Sequence, residues 1–359
     1  MNRNTPIRLA VIGAGLVGQR HARHAFEHPD IDLAWIVDPN PNQQALAKEL
    51  GCRWAPDLES VPAADCRAAI IATPNSDHLP SGLFCLERNW ATLVEKPVAD
   101  TVENGEKLVS AFEVRGLPLL VGHHRRYHPS VEKAKELIGT AALGTPVSAS
   151  LIWAVRKPDS YFRAGLWRRK SDGGPLLINF IHEADLLVGL FGPVQEVQAM
   201  VSHHARGSAV EDSAAINIRF ASGVIATAVL TDAALTPWSF EGASGENPNI
   251  AETGISSWRI GCTAGSFEFP ALRVWTDAQG EEGDWSRPLK HEIIETEKVN
   301  PLHEQLTHFA SLIRQEGTIP KVSGRDGLEA LRLVEAVRTA ARTGRPVVAG
   351  APAQTASIV

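Results

Sequence analysis

The sequence predicts an α/β protein with two domains. Residues 1–124 are expected to form a doubly wound parallel sheet, and residues 125–349 an α+β domain with an open, mostly antiparallel sheet. Three observations favour this: strands alternate with helical segments in the first third, a glycine-rich turn follows the first strand, and later strands are separated by short turns. The length of 359 residues suits about two domains. Residues 350–359 are expected to form a loose tail.

Composition and charge indicate a soluble globular protein. The hydrophobic content of 44% and the charged content of 21% are ordinary for a protein with a core. The net charge of −6 disfavours binding to nucleic acid, and no apolar run approaches the roughly 18 residues of a membrane-spanning helix. The N-terminus lacks the apolar core of a signal peptide. Four cysteines without paired spacing predict reduced thiols in a cytoplasmic protein: Cys52, Cys66, Cys85 and Cys262.

A glycine-rich turn connects the first strand, residues 7–12, to a helical segment that ends near residue 27. The pattern G-x-G-x-x-G is weak evidence alone, but here it lies between a strand and a helix. In that place it allows a tight turn and close approach of the backbone to a pyrophosphate. The sequence therefore predicts a dinucleotide-binding Rossmann domain. Its first cofactor contacts are expected to be Gly13, Gly15, Leu16, Val17 and Gly18.

An acidic residue ends the second strand. Asp38 follows the apolar strand at residues 31–37 and lies 20 residues after Gly18, where a carboxylate that binds both ribose hydroxyls is expected. Such a carboxylate would repel a 2′-phosphate, so the sequence favours NAD over NADP. The alternative is a glycine turn followed by a solvated aspartate, with no cofactor.

The alternation of helices and strands continues to residue 121. Helices are predicted at residues 42–50, 77–89 and 101–115, and strands at 68–72, 91–94 and 117–121. In a doubly wound sheet, ligands bind beyond the carboxyl ends of the strands. The residues expected at those ends are Gly13, Asp38, Thr73, Lys96 and His123. Lys96 should therefore share a crevice with the cofactor. The alternative is a surface lysine paired with a carboxylate.

The segment Glu95-Lys96-Pro97 follows the strand at residues 91–94. Proline cannot donate to a sheet ladder, so the strand is expected to stop there. A cis bond before Pro97, which only proline makes readily accessible, would hold Lys96 in a fixed direction.

Several segments together resemble the Gfo/Idh/MocA family of nicotinamide-dependent oxidoreductases. They are the glycine turn, residues 72–78, Glu95-Lys96-Pro97 and residues 122–129, and the similarity extends over nearly the whole chain. The resemblance implies that Lys96 lies beside the nicotinamide and contacts the substrate hydroxyl. It also implies cofactor contacts from Thr73, Pro74, Asn75, His78 and Glu95.

Beyond residue 129 the pattern changes to closely spaced strands. They are predicted at residues 146–155, 196–201, 213–220, 223–231 and 258–261, with later strands near Phe267 and Val274. The short turns between them predict antiparallel pairing. Helices are predicted at residues 130–138, 176–191, 301–315 and 325–343, and the last two are expected to close this domain.

The helix at residues 176–191 carries Asn179, His182 and Asp185 three residues apart, on one strip of its surface. From the residues alone, a histidine on an apolar helix is more often a core residue than a catalyst. The family resemblance implies instead that His182 faces the nicotinamide and Lys96. Many members have an aspartate four residues before this histidine, where this chain has Ile178. An amide cannot take up a proton at ordinary pH, so the expected catalytic set is Lys96 and His182, with Asn179 orienting the substrate.

The remaining substrate contacts are expected from basic and aromatic residues. Arg126, Tyr161 and Trp238 are predicted to contact the substrate, and the resemblance places Trp167 and Arg168 near the nicotinamide. Arginine binds carboxylates through paired hydrogen bonds, so an acidic sugar or a polyol acid is one substrate class that fits. The alternative is that about half of the arginines in these segments are solvated surface residues. Clusters of histidines lack acid or cysteine partners at ligand spacing, so no metal is expected.

The segment at residues 236–257 is rich in Gly, Pro, Ser and Asn and is too long for a simple turn. It is predicted to form a lid or a subunit contact, with Trp238 as its contact to the substrate. The alternative is a flexible surface loop.

The expected function is reversible hydride transfer between NAD and a secondary hydroxyl of a sugar, a cyclitol or a related polyol. Two alternatives remain open: an oxidation and elimination that cleaves a glycosidic bond while NAD is recycled, and an NAD-sensing regulator without catalysis. An uncovered apolar sheet face is improbable in a monomer, so the sequence also predicts a homodimer or homotetramer.

Overall fold

The computed structural model describes residues 5–139, 142–169, 173–279, 283–315 and 317–348; the predicted tail at residues 350–359 lies outside them. The chain forms two compact units. The first comprises the described residues of 1–131 and 297–332, and the second those of 132–296 and 333–359. None of the described helices is long and apolar enough to cross a membrane.

A sheet of six parallel strands lies in the first unit. The strands are β1 (Ile7–Ile12), β2 (Ile31–Val37), β3 (Arg53–Ala55), β4 (Ala68–Ile71), β5 (Ala91–Val94) and β6 (Leu119–Val121). Their order, β3-β2-β1-β4-β5-β6, is that of a doubly wound fold, and it confirms the predicted fold class. All residues of β4 and β5 are buried, as expected for strands covered on both faces. The three residues of β3 are too few to show a strand pattern, so the sequence did not predict it.

The described residues form ten α-helices, most of which were predicted. They are α1 (Leu16–Glu27), α2 (Gln44–Glu49), α3 (His78–Glu87), α4 (Val102–Arg115), α5 (Pro129–Gly139), α6 (Asp159–Arg163), α7 (Ile181–Phe191), α8 (Phe240–Ser244), α9 (Pro301–Ile313) and α10 (Gly324–Thr343). The two that the sequence did not predict, α6 and α8, have five residues each, which is too short for helical periodicity to appear.

A sheet of nine strands lies in the second unit. Its strands are β7 (Pro146–Ala154), β8 (Val194–Ser202), β9 (Ser213–Phe220), β10 (Ile225–Thr231), β11 (Trp258–Cys262), β12 (Gly265–Phe269), β13 (Arg273–Asp277), β14 (Leu289–Ile293) and β15 (Val347–Val348). The order is β14-β13-β12-β11-β7-β10-β9-β8-β15. Every neighbouring pair is antiparallel except β7 and β10, which confirms the predicted mostly antiparallel sheet.

The parallel pairing of β7 with β10 follows from the order of the chain. After β7 the chain crosses through α7 to β8, and β8, β9 and β10 then return as an antiparallel meander. The third strand of that meander therefore runs in the same direction as β7. Its register joins Ala154 to Thr231, so the two strands end side by side.

One face of this second sheet is buried and the other is open. In β9 the residues alternate, with Ala214, Ile216, Ile218 and Phe220 buried and those between them exposed or half-buried. Apolar side chains also lie on exposed positions of neighbouring strands: Met200 is 74% exposed, and Ile225 and Val229 are each 47% exposed.

Residues 297–332 belong to the first unit, which differs from the contiguous second domain expected at residues 125–349. The backbone N–H of Val121 in β6 donates to the carbonyl of Val322 at 3.1 Å. Gln305 of α9 donates from Nε2 to the carbonyl of Val121 at 3.2 Å. An amphipathic pattern shows that a helix buries one face, but it does not identify the surface that covers that face.

Candidate active site

The glycine turn after β1 depends on two close backbone approaches. Gly13 has φ of +83°, and a Cβ there would lie 2.7 Å from the carbonyl oxygen of Ala72. A Cβ on Gly18, in the first turns of α1, would lie 1.8 Å from the carbonyl oxygen of Gly13. Both positions therefore require glycine because neighbouring backbone occupies the space that a side chain would need.

Gly15 differs from these two glycines because it faces open space. A Cβ on Gly15 would meet no protein atom within 4 Å. Gly15 caps the N-terminus of α1 without a side-chain hydrogen bond, and no acidic residue lies in the first helical turn. The first N–H groups of α1 thus carry the positive end of the helix dipole into an unobstructed space, which fits a pyrophosphate. The adjacent Leu16 and Val17 are 73% and 41% exposed.

Asp38 is held against the glycine turn. Its Oδ2 accepts a hydrogen bond from the backbone N–H of Ala14 at 2.7 Å, and its Oδ1 accepts one from the N–H of Asn40 at 2.8 Å. Each carboxylate oxygen can accept a second hydrogen bond, so the predicted contact with ribose hydroxyls remains compatible with this geometry. The carboxylate therefore also fixes the turn, which the sequence did not indicate.

His78 joins two strand-end segments in the first unit. It is fully buried, with Nε2 lying 3.1 Å from the carbonyl oxygen of Thr73 and Nδ1 lying 2.9 Å from that of Pro97. Burial lowers the pKa of His78, although both carbonyl contacts oppose the shift. The sequence predicted a direct cofactor contact. Both ring nitrogens face backbone oxygens, so His78 also positions these two segments, and its contact with the cofactor stays a prediction.

Lys96 follows β5, and its peptide bond to Pro97 is cis. Lys96 is half-buried, and it directly follows Glu95, which is buried. The backbone N–H of Lys96 donates to Glu95 Oε2 at 3.1 Å. The carboxylate of Glu95 thereby holds the backbone from which the Lys96 side chain projects.

The partner of Glu95 is His21 on α1, a pairing that no local pattern in the sequence predicts. His21 is buried and donates from Nε2 to Glu95 Oε1 at 2.7 Å. Burial opposes ionisation of Glu95, but the hydrogen bond and charge of His21, with smaller contributions from Lys96 and His124, lower the carboxyl's pKa to about 2. A Cβ on Gly122 would lie 2.8 Å from Glu95 Oε1, so only glycine leaves room for this carboxylate.

The basic residues after β6 are largely inside the first unit. Arg125 and Arg126 are 2% and 5% exposed, and Tyr127 packs its ring against that of His308 at a centroid distance of 5.5 Å. The predicted contact of Arg126 with the substrate remains a prediction. Burial and the neighbouring charge of Arg125 lower the pKa of His124 to about 3, so this imidazole is neutral at neutral pH.

In the second unit, the helix that carries His182 begins with a π-helical turn at Leu176–Phe180 and continues as α7. The backbone N–H of Leu176 donates to Glu211 Oε1 at 2.9 Å. Asn179 and His182 are half-buried, whereas Asp185 is 1% exposed. Asn179 and His182 therefore share a partly accessible strip, and Asp185 does not belong to it.

Lys157 contacts Asn179 and was not predicted as a site residue. Its Nζ donates to Asn179 Oδ1 at 2.6 Å and lies 3.6 Å from Asp232 Oδ2. A local signal exists in the sequence, because Lys157-Pro158 follows a strand as Lys96-Pro97 does. Its proximity to Asn179 depends on the tertiary fold.

Tyr161 and Arg168 lie together in the second unit. The guanidinium carbon of Arg168 lies 3.9 Å from the centroid of the Tyr161 ring, and Arg168 Nη1 donates to the backbone oxygen of Tyr161. Burial raises the pKa of Tyr161. The side chain of Trp167 lies outside the described part of the structure.

The segment at residues 236–257 is partly packed. It contains α8, which begins after Ser239 accepts a hydrogen bond from the N–H of Gly242 at 2.9 Å. Phe240 is completely buried, whereas Trp238 is 38% exposed. Residues 251–255 are exposed and lie outside helices and strands, so the predicted lid, the contact of Trp238 with substrate and the alternative of a surface loop all stay open. Across the described ranges, no group of three His, Cys, Asp or Glu side chains could hold a metal ion.

Comparison with known families identifies both halves of the chain. Residues 7–123 match the model of the Gfo/Idh/MocA oxidoreductase family with an NAD-binding Rossmann fold, and residues 135–348 match the family's C-terminal alpha/beta domain. The chain belongs to this family. The first sheet and the glycine turn therefore form the NAD-binding domain of a Gfo/Idh/MocA protein.

Individual relatives are distant. Inositol 2-dehydrogenase 4 of Saccharopolyspora erythraea is 28% identical over 234 residues, covering 62% of this chain and 66% of that protein. The 1,5-anhydro-D-fructose reductase of Ensifer adhaerens is 27% identical over 286 residues, covering 78% and 79%. Several other curated relatives are matched over less than two thirds of their length. An oxidoreductase of Agrobacterium radiobacter, solved with NAD+, L-tartaric acid and magnesium, has a TM-score of 0.78 and 18% identity over 96% of this chain and 98% of that one.

The unequal surroundings of Gly15 and Gly18 predict separable effects of an added methyl group. Gly18→Ala should destabilise the protein by about 1–3 kcal/mol without any cofactor, because its Cβ would overlap the Gly13 carbonyl. Gly15→Ala should leave stability unchanged but weaken NAD binding about tenfold or more, because its Cβ would enter the space above α1. Urea unfolding and calorimetric titration with NAD measure the two effects. Equal NAD affinity of Gly15→Ala and wild type would contradict the placement of the cofactor.

The ionised state of Glu95 predicts an acid-sensitive contribution to stability. Its folded-state pKa of about 2 lies below the ordinary value of 4.5, so the ionised carboxylate stabilises the fold above pH 4.5. That contribution is lost as the pH falls from 4.5 towards about 2. The free energy of unfolding should therefore fall more steeply with acidification in wild type than in Glu95→Gln, measured by urea unfolding. Glu59→Gln, at an exposed position, is the control and should behave as wild type.

Proposed function

We propose that this protein transfers a hydride reversibly between NAD and a secondary hydroxyl of a sugar, a cyclitol or a related polyol. The observation that carries the proposal is a series of contacts in the NAD-binding domain that leads from the glycine turn to the segment of Lys96. The glycine turn approaches Ala72, and His78 connects Thr73 to Pro97, directly after Lys96. A cationic side chain therefore lies at the same sheet edge as the cofactor turn.

NAD is the favoured cofactor because Asp38 lies beside the glycine turn. A carboxylate there favours ribose hydroxyls and repels the 2′-phosphate of NADP. The contact of Asp38 with the N–H of Ala14 supports this assignment, because it keeps the carboxylate next to the turn.

The proposed chemistry uses His182 and Lys96. His182 takes the proton of the substrate hydroxyl during oxidation, since an imidazole can accept a proton near neutral pH. Lys96 donates a hydrogen bond to the same oxygen and stabilises its developing negative charge. Asn179 orients the substrate. NAD, held at the glycine turn and Asp38, would supply the hydride acceptor for oxidation and, once reduced, the hydride donor for the reverse reaction.

The substrate class is supported by two relatives whose names state their substrates. One is named an inositol 2-dehydrogenase and the other a 1,5-anhydro-D-fructose reductase, so both act on polyhydroxylated rings. A thermal-shift screen of sugars, polyols and sugar acids, each with NAD and with NADP, would find the substrate, because a ligand of the folded state raises its melting temperature.

A second candidate function is an NAD-sensing regulator without catalysis. Ile178 favours it, because many members of the family have an aspartate at this position. Tight NAD binding, no turnover of a broad polyol panel and a protein partner captured in pull-down would support the regulator. Release of sugar from glycosides without net NADH would instead support oxidation followed by elimination.

Substitution of the two proposed catalytic residues tests the main proposal. Lys96→Ala and His182→Ala should each lower turnover of the identified substrate by about 10²–10³, because one stabilising donor or one general base is lost. NAD affinity measured by calorimetry should persist in both variants. Lys133→Ala, at a lysine that pairs with Glu136 in the second unit, is the control. Near-full turnover of both active-site variants with NAD bound would show that the assignment is wrong.

The open face of the nine-stranded sheet supports a homodimer or homotetramer. Met200 on β8 and Ile225 and Val229 on β10, the two strands that flank β9, expose apolar surface that a second copy could cover. Val229→Lys should therefore shift the molar mass measured by light scattering towards the monomer. Val114→Lys, at a valine of α4 that is 91% exposed, should leave the mass unchanged. A wild-type protein that is already monomeric would contradict the proposal.

A further inference from the structure

Lys157 is fixed at the ends of the two parallel strands of the second unit. It follows β7, and its backbone N–H donates to the carbonyl oxygen of Asp232, which follows β10, at 2.9 Å. Its own carbonyl oxygen accepts a hydrogen bond from Arg206 Nη2 at 3.0 Å. The backbone of Lys157 is therefore held on both sides, so the direction of its side chain is set by the sheet.

The ammonium group of Lys157 shares one carboxylate with a closer cation. Asp232 Oδ2 lies 3.6 Å from Lys157 Nζ, whereas Asp232 Oδ1 accepts a hydrogen bond from Arg206 Nε at 2.6 Å. Arg206 Nη2 also donates to the backbone oxygen of Asp232. Because Coulomb attraction weakens with distance, Asp232 mainly neutralises Arg206 and compensates Lys157 only in part.

The surroundings of Lys157 are mostly aromatic. The residue is 9% exposed, and its Nζ lies 5.5 Å from the ring centroid of Trp153 and 5.1 Å from that of Tyr161. Arg168 lies on the same Tyr161 ring, so two cations share it. Burial lowers the pKa of Lys157 to about 8, although Asp232 opposes this shift. The attraction of nearby carboxylates therefore does not fully offset the free-energy cost of removing the lysine's charge from water.

The hydrogen bond from Lys157 to Asn179 leaves N–H donors of both side chains available to a ligand. An ammonium group has three N–H donors, and the two acceptors that it meets among the described residues are Asn179 Oδ1 and Asp232 Oδ2. Because Oδ1 of Asn179 faces Lys157, its amide NH2 group points elsewhere and offers further donors. Ile178 leaves the adjacent position uncharged. The pair therefore offers donors together with partly compensated positive charge.

We propose that Lys157 is a substrate-binding residue, and that its ammonium group, together with the amide of Asn179, binds a carboxylate of a sugar acid or polyol acid. A carboxylate matches this site because its oxygens are acceptors only and its charge compensates the lysine. The proposal rests on the proposed function, since it places the acid group near His182, three residues beyond Asn179. A purely positioning lysine, which only orients Asn179, would affect acidic and neutral substrates equally.

The test compares matched substrates that differ in one acid group. The pairs are D-gluconate with D-glucitol and D-glucuronate with D-glucose, each assayed with NAD for kcat/KM. Wild type should prefer the acids, and Lys157→Met should lower the ratio of acid to neutral kcat/KM by about 10- to 100-fold, the range expected for loss of a charged hydrogen bond. Lys157→Arg should keep most of the preference. Lys133→Met is the matched control and should behave as wild type.

Binding separates failure of this proposal from failure of the hydride-transfer function. Each acid is titrated calorimetrically into NAD-saturated wild type and Lys157→Met, and NAD affinity and melting temperature show whether the variant is folded. Acid binding that depends on Lys157 without turnover would support the carboxylate site and refute hydride transfer to these compounds. Equal losses for acids and neutral partners, or wild type that neither binds nor prefers the acids, would overturn the carboxylate site.

Discussion

The NAD-binding domain depends on one buried ionised carboxylate. Glu95 is 8% exposed, and it is kept charged by His21 and by the backbone N–H of Lys96. Its contacts join α1, the end of β5 and the start of the segment after β6, where Gly122 leaves it room. A buried carboxylate without such partners would be strongly destabilising. The same group therefore holds three elements together and fixes the backbone of Lys96.

The cofactor side of this domain is built mainly from backbone. The glycine turn is shaped by contacts with the backbone of residues 72–73, and His78 spans the carbonyl oxygens of Thr73 and Pro97. Asp38 binds the N–H of Ala14. A movement of any one strand end would therefore be transmitted to the next through a short, direct contact.

The second unit contains a comparable arrangement of a lysine at a strand end. Lys157, like Lys96, follows a strand and precedes a proline, and the backbone N–H of each lysine donates a hydrogen bond to another residue. Lys96 is placed by a carboxylate of its own strand end, whereas Lys157 is placed by the parallel partner of its strand. Both are cations held at strand ends, which is where a sheet can present a charge without disrupting its ladder. The proposals assign one to the reacting hydroxyl and the other to an acid group.

The sequence by itself determined the features that depend on neighbouring residues. The strands around β1, β2 and β5, the glycine turn and the position of Asp38 all follow from apolar periodicity, turn chemistry and short spacing, and the structure has them where the sequence predicted them. The family resemblance was equally readable, because its motifs are contiguous segments.

Only the tertiary structure decided which distant residues meet. His21 and Glu95 are separated by 74 positions, and Lys157 and Asn179 by 22, so no local pattern connects either pair. Residues 297–332 could not be assigned to the first unit for the same reason, since amphipathic periodicity shows that a face is buried but not what buries it. The position of His78 between the carbonyl oxygens of Thr73 and Pro97 likewise depends on two separate strand ends. Local sequence thus fixes elements and turns, while packing between them selects the partners of each charged group.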